Sequence, residues 1–340
     1  MKWKLFVLSL LVVMCLTAYV TYYYTVSAIA AKPAETQGHN PARGAVEIVD
    51  DCDLTVMREN KYKYIKPILI TEKYCESKEL ADLKGKLQEK ILFLQSKKAV
   101  TRSSVYFKEL QTNRWIEVNG AEVYYPGSML KLTIMLNILK QAEINPLILD
   151  KMLLLKKNVD LGVVIDPTKK LVTGQMYSVK QLIEAMIIRS DNDATSLLME
   201  ITDYKVTERL YNDLGLPLDK IEDWFYTISA SDFGKFYRIL YDSSFLVRPL
   251  SELALNLLVK SEYREGLLKY LPANAQVAHK FGERFTESEL VQFHESGIVF
   301  LDDRSYLIVV MTEGNQIDSL QTCVADLSKI CYDYVAGSKK

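Results

Sequence analysis

The chain has 340 residues, 49% hydrophobic and 25% charged, a composition that fits one large or two interlocked packed domains and no disordered class. Forty-two Lys and Arg face 43 Asp and Glu, and the formal net charge of -1 argues against nucleic acid or another polyanion as partner. The ligand expected is a small molecule or a peptide.

Met1-Lys2-Trp3-Lys4 is a basic flank, followed by an uncharged stretch from Leu5 to Ala31 that is long enough to cross a bilayer. Two lysines ahead of it favour an N-terminus held inside, and Tyr22-Tyr23-Tyr24 suit the far headgroup boundary. Residues 1–31 are therefore read as a transmembrane signal anchor. Ala28-Ile29-Ala30 also resembles a cleavage site, which would make the segment a removed signal peptide. Either way the rest is exported, membrane-held and outside the cytoplasm in one case, secreted in the other. Residues 32–61, with Pro33, Gly38, Pro41 and Gly44, read as a stalk, and 62–340 as the folded domain. Cys52, Cys75, Cys323 and Cys331 then lie where disulfides persist. Cys323 and Cys331 share an apolar helical stripe and are too far apart to bond each other, so they are buried thiols, or one of them bridges to Cys52 or Cys75.

Leu80, Leu83, Leu87, Ile91 and Leu94 repeat at helical spacing, which predicts a helix over Ser77 to Gln95. Val105-Tyr106-Phe107 and Trp115 to Val118 flank a turn at Gln111 to Asn113 and predict a hairpin. Helical patterns cover Val179 to Ile188, Ala194 to Ile201, Val206 to Leu214, Ala230 to Tyr241 and Glu252 to Val259. Gly297 to Leu301 and Tyr306 to Met311 predict a second hairpin, and a helix over Gln316 to Tyr334 ends the pattern. The simplest assembly is an α+β fold: an antiparallel sheet built from both chain ends and covered by the terminal helices, with an all-helical middle.

Three short groups carry the chemistry. Ser128 follows Pro126-Gly127 and opens a run through Leu139 that is apolar on nearly every face, the mark of a buried helix. Lys131 lies about one turn on, on the same face, where loss of water lowers an amine's pKa toward a useful base. A serine hydroxyl needs such a base to become a nucleophile. Read singly, Ser128 serves equally as a helix cap and Lys131 as a snorkelling side chain, but the run around Lys131 offers no nearby surface. Ser190-Asp191-Asn192 falls between two helices, where capping alone also explains such residues. Lys280-Phe281-Gly282 follows Ala275 to His279 and reads as a strand edging a cleft, where a lysine ordinarily points to water.

Ser128-Met129-Leu130-Lys131, Ser190-Asp191-Asn192 and Lys280-Phe281-Gly282 stand in the order of S-x-x-K, S-D-N and an altered K-T-G, so the chain resembles the serine β-lactamase and DD-peptidase superfamily, closest to class A. The flanking Ile187 to Leu198 is similar to the family's segment as well, and the resemblance runs from about Ser77 to Tyr334. It implies that Ser128 attacks, that Lys131 is the base and that Ser190 relays a proton to the leaving group. It further implies that Asp191 holds the loop and that Asn192 bonds the substrate amide. Lys280 would attract the substrate carboxylate, Gly282 would let the backbone approach, and the Glu283 N–H would complete an oxyanion hole with that of Ser128. The implied substrate is a β-lactam or a D-Ala-D-Ala-like amide of a peptidoglycan stem peptide, with no metal and no organic cofactor.

Two departures matter. Phe281 stands where the family has Ser or Thr, so the hydroxyl for the substrate carboxylate is missing. The stretch Leu216 to Phe225 lacks the E-x-x-L-N pattern of the class A deacylation loop, and Glu222 is the nearest carboxylate there. A binding or sensing module that keeps the fold without turnover is the alternative reading. With only His39, His279 and His294, no H-E-x-x-H or three-histidine zinc site can be written, and a Ser-His-Asp site through His279 or His294 lacks a supporting motif.

Overall fold

In the computed structural model, which describes residues 54–337 apart from 60, 62–64, 66, 74, 160–166, 218–225, 287–289 and 302–303, the first elements are β1 (Leu54–Arg58) and β2 (Ile68–Lys73), an antiparallel pair. Regular structure thus begins earlier than the sequence suggests, since β1 occupies residues assigned to the stalk. A 3-10 turn at Lys78–Leu80 leads into α1 (Ala81–Ser96), and β3 (Arg102–Glu109) and β4 (Trp115–Val118) form the first expected hairpin. After β5 (Val123–Tyr124) and a 3-10 turn at Gly127–Leu130 comes α2 (Lys131–Ala142).

The middle continues with β6 (Met152–Leu154), β7 (Met176–Ser178), α3 (Val179–Ile188), α4 (Asn192–Met199) and α5 (Tyr204–Asp213). It ends with β8 (Ile228–Ser229), α6 (Ala230–Tyr241) and α7 (Arg248–Val259). The helices lie where the periodicity puts them. Two short ribbons, β6 with β7 and β5 with β8, are additions that the pattern does not announce. Three long strands, β9 (Gln276–Phe285), β10 (Val291–Phe300) and β11 (Tyr306–Gly314), precede α8 (Ile317–Gly337).

The main sheet is antiparallel in the order β4-β3-β11-β10-β9, so strands from both ends of the sequence meet at β3 and β11. The position of β11 explains why its sequence is apolar at nearly every position. Tyr306, Ile308 and Val310 face the layer of α1 and α8, whereas Leu307, Val309 and Met311 face the helical middle. A strand covered on both faces cannot show the alternation of a half-exposed one. Each fully buried leucine, such as Leu83, Leu87, Leu320 and Leu327, contributes roughly 1.5–3 kcal/mol to closing the outer layer. β9 is left as an edge strand, and its free edge faces the turn that carries Ser128.

Cys323 and Cys331 are buried free thiols, and burial raises both thiol pKa values, that of Cys323 to about 12. Cys75 is disulfide-bonded, so neither Cys323 nor Cys331 is its partner, and a bridge from either to Cys75 or Cys52 is ruled out. Among the described residues no helix is long and apolar enough to cross a membrane. The stretch from Leu5 to Ala31, Cys52 and Glu222 all lie outside the described residues.

Candidate active site

Ser128 sits in the 3-10 turn and not in the α-helix itself, which begins at Lys131. The Lys131 backbone N–H bonds to Ser128 O, and side chains three apart on a 3-10 turn eclipse one another, so the two share a face as their spacing implies. The turn is fixed from two sides. Gly127 has φ +54, and a Cβ there would lie 2.6 Å from Glu283 O and 3.0 Å from Glu283 N. A Cβ on Gly282 would lie 2.2 Å from Pro126 O and 2.8 Å from Met129 N. The two glycines therefore let turn and strand meet backbone to backbone, which brings the Glu283 amide beside the turn of Ser128.

Upstream, Tyr125 is held by side chains of β10. Its N–H donates to Gln292 Oε1 at 2.9 Å, and its carbonyl lies 3.1 Å from His294 Nε2. Thr312 N donates to His294 Nδ1 at 3.0 Å. A carbonyl only accepts, so Nε2 carries the hydrogen and the ring is neutral; burial lowers the His294 pKa from 6.5 to about 3. His279 is engaged elsewhere, with Nδ1 2.5 Å from Glu295 Oε1 in a fully buried pair. Among the described residues no histidine is hydrogen-bonded to Ser128, and the Ser-His-Asp alternative finds no geometry.

Lys131 and Lys280 converge on Ser190. Lys131 Nζ donates to Ser190 O at 2.5 Å, Asn192 Oδ1 at 2.7 Å and Ser190 Oγ at 3.0 Å. Lys280 Nζ donates to the same Oγ at 2.9 Å and to Phe281 O at 3.1 Å. Burial lowers the Lys131 pKa from 10.5 to about 7, against the pull of Asp191 and Glu283. Burial lowers Lys280 well below its ordinary value, and the neighbouring Lys131 pushes the same way. The edge-strand lysine thus points into the protein and is wholly buried, which the position of its strand would not suggest.

Ser190 itself has φ +59, a left-handed conformation rare for serine. It follows the C-cap of α3, while Asp191 caps α4 by accepting the Ala194 N–H at 2.7 Å, so the capping that such residues offer is realised. With both lone pairs of Ser190 Oγ taken by amines, its own hydrogen is left to donate. Among the described residues no hydrogen bond joins Lys131 Nζ to Ser128 Oγ; the amine turns toward Ser190 and Asn192.

Phe281 is buried, stacked on Tyr263 with centroids 4.0 Å apart and planes at 20°, and Lys280 Nζ lies 4.2 Å from its centroid. The ring that replaces the hydroxyl is a dry wall against which the amine packs. Gln292 and Tyr263 escape sequence reasoning, as does the role of His294 in holding Tyr125, because each works through strand pairing or stacking that no local motif marks. Among the described residues no cluster of His, Cys, Asp and Glu could hold a metal.

Residues 83–335 match the family model described as the Beta-lactamase enzyme family. No curated protein matches. Among solved structures the fold is similar to the TLA-1 extended spectrum β-lactamase, with TM-score 0.65, 19% identity, and 76% of this chain and 99% of that one covered. A β-lactamase from Chitinophaga pinensis gives 0.65 at 18% identity, covering 74% and 99%. The structure of PBP-A gives 0.62 at 18%, covering 74% and 96%. With sheet, helical middle and motif order all in agreement, the chain belongs to the β-lactamase enzyme family.

Proposed function

We propose that this protein is an acylating serine hydrolase with Ser128 as nucleophile, acting on a β-lactam or a D-Ala-D-Ala-like peptide amide. The observation that carries the reading is the shared hydrogen bonding of Lys131 and Lys280 at Ser190 Oγ, in a site where burial holds Lys131 near neutrality. Lys131, after giving up one of the three protons with which it donates in the resting site, turns its lone pair to the Ser128 hydroxyl and takes that proton as Oγ adds to the carbonyl carbon. The oxyanion gathers at the amides of Ser128 and Glu283. The C–N bond then breaks as the nitrogen takes the Ser190 hydrogen, which Lys131 replaces, leaving an ester on Ser128 and the site's protons balanced. Asn192 orients the substrate amide, Lys280 supplies positive charge, and Gly282 keeps the strand close.

The N-terminal segment 1–31 is proposed to tether the domain, by way of residues 32 onward, to the outer face of the cytoplasmic membrane. A second reading, a sensor that acylates without turnover, is favoured by Phe281, which fills the position of the carboxylate-binding hydroxyl with a stacked ring. Intact-mass measurement after exposure to penicillin decides between them. A single adduct, absent in Ser128→Ala, is the expected result, and no adduct at the earliest quench with no consumption of penicillin overturns the proposal. Loss of the adduct within seconds marks a hydrolase, and persistence over hours marks a sensor.

A further inference from the structure

The ribbon of β6 and β7 turns one face to the core and the other to water. Leu153 and Tyr177 are register partners that pack on the helical core. Strand alternation sends Met152, Leu154 and Met176 the opposite way, where they are 48%, 41% and 52% exposed. Leu154 pairs directly with Met176, so these side chains adjoin. Leu147, just ahead of β6, is 74% exposed. A half-buried antiparallel ribbon ordinarily carries polar residues on its water face, and an apolar one marks an interaction surface.

The chain around it is basic. Lys151, Lys156, Lys157, Lys170 and Lys180 are exposed, and residues 144–181 hold six lysines against three aspartates in a chain whose total charge is -1. Exposed apolar side chains within a lysine-rich stretch of chain, of whose six lysines only Lys169 is seen in an ion pair among the described residues, with Glu262, suit the boundary between acidic headgroups and acyl chains. We infer that the outer face of the β6–β7 ribbon docks on an anionic lipid surface. The inference rests on the membrane tether proposed above, because a tether makes a small patch sufficient. Residues 32–53, the stretch between the proposed anchor and β1, keep the domain within reach of the bilayer, at an effective concentration on the order of millimolar. The segment that follows β6 also reaches the active site, since Asn158 Nδ2 donates to Asp193 Oδ2 at 2.6 Å beside Asn192. Docking would fix the height of the cleft above the bilayer.

The test uses the full chain, reconstituted in vesicles of phosphatidylcholine alone or with a minor share of phosphatidylglycerol, and hydroxyl-radical footprinting read at single methionines. Met199, 56% exposed on α4, is the internal control. Oxidation of Met152 and Met176 should fall about threefold or more with phosphatidylglycerol while Met199 is unchanged. The protection should vanish in about 0.5 M NaCl and in the triple variant Lys151→Gln, Lys156→Gln, Lys157→Gln. Chain that floats with the vesicles but shows equal oxidation in both overturns the docking and leaves the tether standing. Chain that does not float overturns the tether as well. Protection in detergent that grows with protein concentration identifies a second copy as the occupant and overturns the lipid surface.

Discussion

Lys131 and Lys280 reach one hydroxyl from two elements, and the energetic tension between them is the source of the proposed chemistry. Two buried ammonium ions at one oxygen repel, and desolvation disfavours the charged form of each. For Lys131 the folded pKa of about 7 lies below the ordinary 10.5, so in that window the unfolded chain binds more protons. The cost of burying it is therefore largest below pH 7 and is relieved as pH rises. Urea titrations should show stability climbing between about pH 7 and 9.5, with a shallower climb in Lys131→Met. Phe281→Thr would restore a hydroxyl but empty the space against Tyr263, at a cost of about 2–4 kcal/mol. Its acylation by penicillin should rise relative to acylation by an uncharged activated ester; an unchanged ratio would mean that Phe281 does not set carboxylate preference. The burial of Lys131 is legible in the sequence because apolar neighbours surround it on every helical face. That of Lys280 is not, because nothing in a strand at a sheet edge signals that Ser190, 90 residues earlier in the chain, will meet its amine.

At the scale of elements, the turn of Ser128 is placed by contacts on both flanks. Gly127→Ala meets a positive φ and the Glu283 backbone together, so we expect a loss of about 1–3 kcal/mol and at least about a tenfold slower acylation. Thermal melts and adduct kinetics check the pair of effects. His294 clamps Tyr125 as a neutral ring, with a folded pKa of about 3 against 6.5. Between those values the unfolded chain binds the extra proton, so the stabilisation is complete above pH 6.5 and is lost as pH falls toward 3. His294→Asn should lower stability at pH 7 by about 1–3 kcal/mol and flatten the acid limb between pH 6.5 and 3. An acid limb as steep as the parent's would place the sensitivity elsewhere. The helices and both hairpins are readable from periodicity, since each has a full turn or a full alternation to display. The β6–β7 and β5–β8 ribbons are not, because strands of two or three residues are too short to show a period.

At the scale of the whole molecule, strands from both chain ends close one sheet, and the helical middle brings Ser190 and Asn192 against Lys131 at the start of α2 and against Lys280 on the edge strand, beside the turn of Ser128. The order of the three motifs makes that convergence readable before any coordinates, whereas the free state of Cys323 and Cys331 depends on the layer of α1 and α8 closing over them. The claim on which the account turns is that Lys131 acts as a neutral base, and the pH dependence of Ser128 acylation by an uncharged activated ester tests it most directly. The rate should rise about tenfold per unit below an inflection near pH 7 and level off above it, with Lys131→Met slow at every pH. A rate independent of pH from about 5 to 9, or an inflection near the ordinary lysine value of 10.5, would contradict it.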